Sequence, residues 1–204
     1  FIQEARLAAS IEHINLVRVL ECGNDENDHP YYVMEMMASS ILHEMKRKGA
    51  YTERVAIDIG ESVARGLIEA HKHKIIHRDI KPANIKIAPE GKAVLVDFGI
   101  AKVYDEHLRT TIGAQAVTPG YSPFEQYGQG ATDSRTDVYA LSATIYALLT
   151  GQVPPDSIQR MNQDTLPPPR RLNPTISRHV DIAIMRALAT HPTGRFRRIG
   201  DFKS

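Results

Sequence analysis

The sequence predicts an α+β fold in which a short opening of helix and hairpin leads into a mainly helical remainder. Three observations carry that expectation. Residues 16–22 and 31–36 alternate like two strands around the polar cluster 23–30, residues 53–73 repeat apolar positions at helical spacing, and residues 137–149 are apolar on nearly every side. The chain has 204 residues, of which 42% are hydrophobic and 24% charged. A globular chain of that length buries roughly 70% of its unfolded surface, enough for a true core.

Taken in order, residues 1–11 read as a helix with Ile2, Leu7 and Ile11 on its apolar side. The strands 16–22 and 31–36 form a hairpin. Thr52 is expected to cap a long helix over 53–73, whose face carries Val55, Ile59, Val63, Leu67 and Ala70. Short apolar runs at 85–87 and 93–96 flank Pro89-Glu90-Gly91 and predict a second hairpin. Residues 97–131 show few helical periods and read as a long ordered loop. The apolar helix 137–149 is stopped by Gly151, Pro154 and Pro155, residues 162–174 are a proline-rich loop, and 178–190 form a last amphipathic helix.

Composition removes several functions. Lys and Arg total 25 against 24 acids, a net charge of +1, so no general attraction to nucleic acid or anionic membrane is expected. The single cysteine, Cys22, excludes an intrachain disulfide and a cysteine-rich zinc site. It fits a reducing, cytoplasmic setting and reads as a packed small hydrophobe. No apolar run approaches the ~20 residues of a membrane span. The first residue is Phe1 and not Met, so the chain is expected to begin inside a larger protein, with any membrane anchor of that protein outside these residues.

The chemistry lies in His77-Arg78-Asp79-Ile80-Lys81-Pro82-Ala83-Asn84, between the long helix and the second hairpin, and in Asp97-Phe98-Gly99 at the end of that hairpin. Asn84 and Asp97 are hard oxygen ligands suited to Mg²⁺. Lys81 can neutralise a migrating phosphoryl group, and Asp79 is left to take or orient a hydroxyl proton. Phosphoryl transfer requires positioning and charge neutralisation, and this set supplies both on the metal and hydroxyl side of a nucleotide.

At these residues the sequence resembles the protein kinases, with HRDxKxxN followed by DFG eighteen residues after the first aspartate. It is most similar to bacterial serine/threonine kinases of the eukaryotic type, over essentially the whole chain. The resemblance implies a bilobal protein-kinase-like fold. Residues 1–37 would be a partial small lobe and 38–204 a large lobe, with a catalytic loop at 77–84 and an activation segment at 97–125. It implies ATP and Mg²⁺ as cofactors, protein Ser/Thr hydroxyls as acceptors, and a transient homodimer for autophosphorylation.

The same resemblance makes Asp79 the catalytic aspartate, Lys81 a γ-phosphate contact, and Asn84 and Asp97 the metal ligands. Met34 becomes the residue behind the adenine, while Glu35 and Met37 offer backbone hydrogen bonds to the base. Glu4 is the helix glutamate that pairs with an ATP-binding lysine. Phe98 and His77 are structural members of their motifs. In TPGYSPFE (118–125), Thr118 meets Asp79 and the substrate, and Glu125 pairs with Arg195, a buried pair whose breakage costs roughly 3–5 kcal/mol. Asp137 accepts hydrogen bonds from the backbone around His77 and Arg78. Arg78 and Lys102 would receive a phosphate carried by Thr110 or Thr111.

The sequence also departs from the family. No GxGxxG occurs, and the strand lysine that should precede Glu4 is absent, so residues 1–204 alone are expected to turn over little ATP. Lys86 stands where an apolar residue is common beneath the adenine, Ser39-Ser40 replaces a glycine pair after the hinge, and Ala38 lacks a polar group for the ribose. A non-catalytic pseudokinase and a small-molecule phosphotransferase are the alternatives. The retained Asp79, Lys81, Asn84 and Asp97 weigh against the first, and the TPGYSPFE segment against the second. His71, His73 and His77 lack an adjacent acidic fourth ligand for zinc. Pro167–Arg171 reads as an ordinary non-helical connection, and Arg195, Arg197 and Arg198 as structural pairing and solvated charge.

Overall fold

The computed structural model describes residues 11–97, 117–128 and 132–203. The helix expected over 1–11 falls almost wholly outside them. Within them, β1 (Val19–Asn24) and β2 (Pro30–Met34) form an antiparallel hairpin, and β3 (Ser39–Ser40), β4 (Ile85–Ile87) and β5 (Ala93–Leu95) form a second antiparallel sheet in that order. The helices are α1 (Ile41–Lys48), α2 (Glu53–Lys72), α3 (Ser134–Thr150), α4 (Ser157–Asn162), α5 (Pro169–Leu172), α6 (Arg178–Ala187) and α7 (Ile199–Lys203).

The single strand expected over 16–22 is two pieces with two partners. The Val17 N–H donates to Leu95 O at 2.9 Å and the Leu95 N–H to Asn15 O at 2.9 Å, so residues 15–17 join β5. The chain then turns away, and β1 begins at Val19 and pairs with β2, with a register shift between Val19 and Glu21. Alternation reports a half-buried strand but not which neighbour it pairs with. The second hairpin forms around Gly91, at φ 81, where only a residue without a Cβ turns at no steric cost.

Residues 41–48 form a helix that the sequence reading passed over, because its three apolar positions, Ile41, Leu42 and Met45, make a short signal amid charge. Its start is held by Ser40, whose side chain accepts the His43 N–H at 3.2 Å, so the serine standing for a family glycine serves as a helix cap. Thr52 does occupy the cap position of α2, but its side chain makes no capping bond, so that role is corrected. α2 packs its small and branched face against α3. A Cβ at Gly66 would lie 2.5 Å from Leu16 Cδ2, so glycine there lets residues 15–16 reach β5 across the helix.

α3 is buried from Thr136 through Leu149, which fits its all-round apolar sequence. Its interior hydroxyls bond back to their own helix, Ser142 to Val138 O at 2.8 Å and Thr144 to Ala140 O at 2.9 Å. Asp133 caps its start and Gly151, at φ 71, its end. α4 was also missed, since six residues are too few for a period to register. It is capped by Asp156 and delivers Arg160, 3% exposed, to Asp164, Tyr139 and the Leu188 carbonyl. The proline-rich stretch carries the four-residue α5, and the last amphipathic helix ends at Ala187, ahead of a short 3₁₀ turn at Pro192. Among the described residues no helix is long and apolar enough to cross a membrane.

Candidate active site

The loop after α2 is fixed from below by one carboxylate. Asp137, fully buried in the first turn of α3, accepts the His77 N–H at 2.9 Å on Oδ2 and the Arg78 N–H at 2.9 Å on Oδ1. His71 Nε2 lies 2.8 Å from Oδ2. His71, set aside as a metal ligand on sequence, is thus a third partner of Asp137, and among the described residues no group of three or more His, Cys, Asp or Glu could hold a metal. The buried His77 accepts the Asp79 N–H on Nδ1 at 3.2 Å, so Nε2 carries the proton and donates to Val96 O at 3.0 Å. Burial pushes the His77 pKa down, with Asp137 pulling the other way. Arg78 sits at φ 68, a costly conformation for a residue with a side chain, and its carbonyl is secured by the Gln126 amide at 2.9 Å.

This anchoring aims four side chains at one point. Thr118 Oγ1 donates to Asp79 Oδ1 at 2.9 Å, and Lys81 Nζ lies 3.0 Å from Asp79 Oδ2 and 3.1 Å from Thr118 Oγ1. Asn84 Nδ2 donates to the Asp79 carbonyl at 2.8 Å and to Oδ2 at 2.9 Å. Both bonds from the Asn84 amide nitrogen therefore go to Asp79, and among the described residues no hydrogen bond is made to Asn84 Oδ1, an acceptor suited to a hard cation. Asp79 is a carboxylate with its rotamer locked and a cation at its side.

Asp97 is brought to the same end of the sheet but turned to a different neighbour. The Val96 N–H donates to Asn84 O at 2.9 Å, placing Asp97 one residue from the loop, at φ 61. Its Oδ1 accepts the Tyr32 hydroxyl at 2.5 Å, and among the described residues its carboxylate has no other hydrogen-bond partner. Burial first, and Asp97 second, push the Tyr32 pKa well above its ordinary value. With Oδ1 engaged, Oδ2 remains. Asn84 Oδ1 and Asp97 Oδ2 are a fitting donor pair for Mg²⁺, which takes few protein oxygens and keeps the rest for phosphate and water.

Beside this lies a cleft of 690 Å³ lined by Met34, Met37, Ser39, His43 and Lys86. Met34 and Met37 pack on Val17, Ala88, Val94 and Val96. The Glu35 N–H is taken by Arg18 O, while among the described residues the Glu35 carbonyl and the Met37 N–H have no hydrogen-bond partner. A second groove of 460 Å³ between α2, α3 and α6 is mainly apolar and contains none of residues 77–84.

The segment carrying Thr118 is clamped on both sides. Ser157 Oγ donates to Ser122 O at 2.8 Å, and Tyr127 donates its hydroxyl to Asp156. Glu125 receives Arg195 through two bonds, 2.6 Å to Oε1 and 3.1 Å to Oε2, and Thr136 adds a third at 3.2 Å. Arg195 also donates to Ala189 O and Thr190 O, so the buried charges are closely satisfied. Glu4, Phe98, Lys102, Thr110 and Thr111 lie outside the described residues. The sequence reading missed Tyr32, Gln126 and the role of His71. For Tyr32 a signal existed, since it shares the inward face of β2 with Met34.

Comparison with known proteins agrees with this geometry. The model of the protein kinase domain matches residues 1–188. A probable serine/threonine-protein kinase of Clostridium perfringens is 37% identical over all of this chain and 31% of its own length. The serine/threonine-protein kinases PknB of Mycobacterium leprae and PrkC of Bacillus subtilis are 32% and 31% identical, again over all of this chain and over 35% and 32% of theirs. The chain thus spans about a third of the length of the curated relatives it matches. The crystal structure of Rad53 residues 1–466 in complex with AMP-PNP superposes with a TM-score of 0.82 at 20% identity, covering 99% of this chain and 53% of that one, a likeness of fold. With Asp79, Lys81, Asn84 and Thr118 gathered as described, and with that match over nearly its whole length, the chain belongs to the protein kinase domain family.

Proposed function

We propose that this chain is the catalytic part of a serine/threonine protein kinase, which transfers the γ-phosphoryl group of Mg·ATP to protein Ser or Thr hydroxyls, its own among them. The observation that carries this reading is the Asp79 carboxylate, held between Thr118, Lys81 and Asn84 at 2.9–3.0 Å. A carboxylate so placed accepts the proton of an incoming hydroxyl as its oxygen bonds to the γ-phosphorus and the bond to the ADP oxygen breaks. Lys81 offsets charge on the transferred group, and Thr118 keeps the Asp79 rotamer. Asn84 and Asp97 hold the divalent cation, which when bound neutralises the phosphate oxygens. The base enters the Met34–Met37 cleft and bonds to the Glu35 carbonyl and the Met37 N–H.

In this reading residues 1–37 belong to the small lobe, with Glu4 on its helix, and 38–204 to the large lobe. The loop at 77–84 is catalytic and 97–125 is the activation segment, with Phe98 in its opening motif. A phosphate on Thr110 or Thr111 engages Arg78 and Lys102, and a transient homodimer delivers it. The catalytic part works in the cytoplasm. The relatives named above, whose names state serine/threonine kinase activity, support the substrate class.

The experiment is phosphate transfer from radiolabelled ATP by the whole protein that carries this chain, with phosphoamino-acid analysis of the product. Labelled serine or threonine that is lost with Asp79→Asn and on removal of Mg²⁺ is the expected result. Turnover that survives Asp79→Asn overturns the reading. Full activity and an unchanged salt dependence with Thr110 and Thr111 both replaced by Ala overturn the regulatory part alone.

A further inference from the structure

We propose that Tyr32 is a positioning residue for Asp97: its phenol fixes one carboxylate oxygen and leaves the other to the divalent cation. The inference rests on the reading of Asp97 as a metal ligand given above.

In β2, Pro30, Tyr32 and Met34 are half-buried while Tyr31 and Val33 are exposed, so period-2 geometry puts Tyr32 and Met34 on one face. Met34 packs on the cluster that contains Val96. The same face therefore delivers Tyr32 to the residue after Val96, and the contact at 2.5 Å joins positions 65 apart in the chain.

Asp97 needs such a partner more than Asp79 does. Asp79 uses both oxygens with Thr118, Lys81 and Asn84. The Asp97 carboxylate has Tyr32 as its only hydrogen-bond partner among the described residues, on a backbone at φ 61. A bond to Oδ1 alone removes the rotational freedom of the carboxylate before the cation arrives. It does not block the cation, because Oδ2 stays available as one of the few protein oxygens that Mg²⁺ takes. Hydrogen bonds to metal-ligating carboxylates are typically worth 10–100-fold in metal affinity.

The test measures Mn²⁺ affinity by electron paramagnetic resonance on the full chain, with a saturating non-hydrolysable ATP analogue, for the wild type, Tyr32→Phe and Asp97→Asn. Tyr32→Phe should weaken Mn²⁺ binding by about tenfold, with binding of the analogue in excess chelator unchanged. Asp97→Asn should abolish the Asp97-dependent binding. Unchanged or tighter Mn²⁺ binding in Tyr32→Phe, with Asp97→Asn still deficient, overturns the role of Tyr32 and leaves the metal reading standing. Unchanged binding in Asp97→Asn overturns the metal reading itself. Should Tyr32→Phe fail to fold, the Cζ resonance of ¹³C-labelled Tyr32 in the wild type decides the matter. Retention of its carboxylate-bonded position on Mn²⁺-free, Mg²⁺-saturated titration supports the role, and a shift to the value of a solvent-bonded phenol overturns it.

Discussion

The two carboxylates at the centre of the site are held in opposite ways. Asp79 stands on a loop pinned to a fully buried aspartate in α3 and is met by three side chains. Asp97 stands at the end of a sheet strand and is met, among the described residues, by one phenol from a two-stranded hairpin. That hairpin leaves Leu20 57% exposed and Val33 42% exposed on its outer side. A long, well-packed helix lends rigidity to the first carboxylate, whereas the second inherits whatever stability a hairpin has, which alone is marginal. In the proposed reading, the carboxylate that takes the proton is therefore built into the core, and the one that would hold the metal depends on how the hairpin is seated.

The largest effect belongs to the first half. Asp79→Asn keeps the shape but cannot accept a proton, and phosphoryl transfer by the whole protein should fall by about 10²–10⁴-fold with unchanged thermal stability; a radiometric assay beside a melting curve checks both. Next comes the anchor. Asp137→Ala removes the acceptor of the buried His77 N–H and of the half-buried Arg78 N–H, and urea denaturation should record a loss of about 3 kcal/mol or more. A loss under 1 kcal/mol would mean that the loop at 77–84 does not hang on α3.

A smaller effect follows from His77. Burial holds its folded pKa below the ordinary 6.5, so the unfolded chain takes up the proton first as pH falls. The stability due to neutral His77 is intact above that value and is lost as pH falls through it toward the folded pKa, by at most about 1.4 kcal/mol per unit. Denaturation of wild type and His77→Gln between neutral and mildly acidic pH should give the wild type the steeper fall. The smallest effect sharpens the contrast within the hairpin. Tyr31 bonds to the exposed Glu21, one residue away from Tyr32 but on the outer face, and Tyr31→Phe should change stability by less than about 0.5 kcal/mol and leave metal affinity untouched.

Much of this was legible in the sequence where the signal is local. The helical period over 53–73 foretells α2 and the all-round apolar run over 137–149 foretells α3, and the elements read on either side put Asp79, Lys81 and Asn84 on a loop and Asp97 at a strand end. What sequence could not supply was partner choice. Alternation over 16–22 does not reveal that Val17 belongs to β5 and Val19 to β2. Helices as short as α1 and α4 complete too few turns to register a period, and a serine pair looked like a lost glycine pair until Ser40 proved to cap α1. The strand pattern puts Tyr32 on the inward face but does not name its partner, which lies 65 residues away.

The central claim is that Asn84 and Asp97 share a cation beside the proton-accepting Asp79. Diffraction from crystals grown with Mn²⁺ and a non-hydrolysable ATP analogue, recorded at the manganese edge, tests it most directly. An anomalous peak within coordination distance of Asn84 Oδ1 and of an Asp97 oxygen is expected, with the terminal phosphate facing Lys81 and Asp79. A cation bound away from both residues, or a terminal phosphate turned from Asp79, would contradict it.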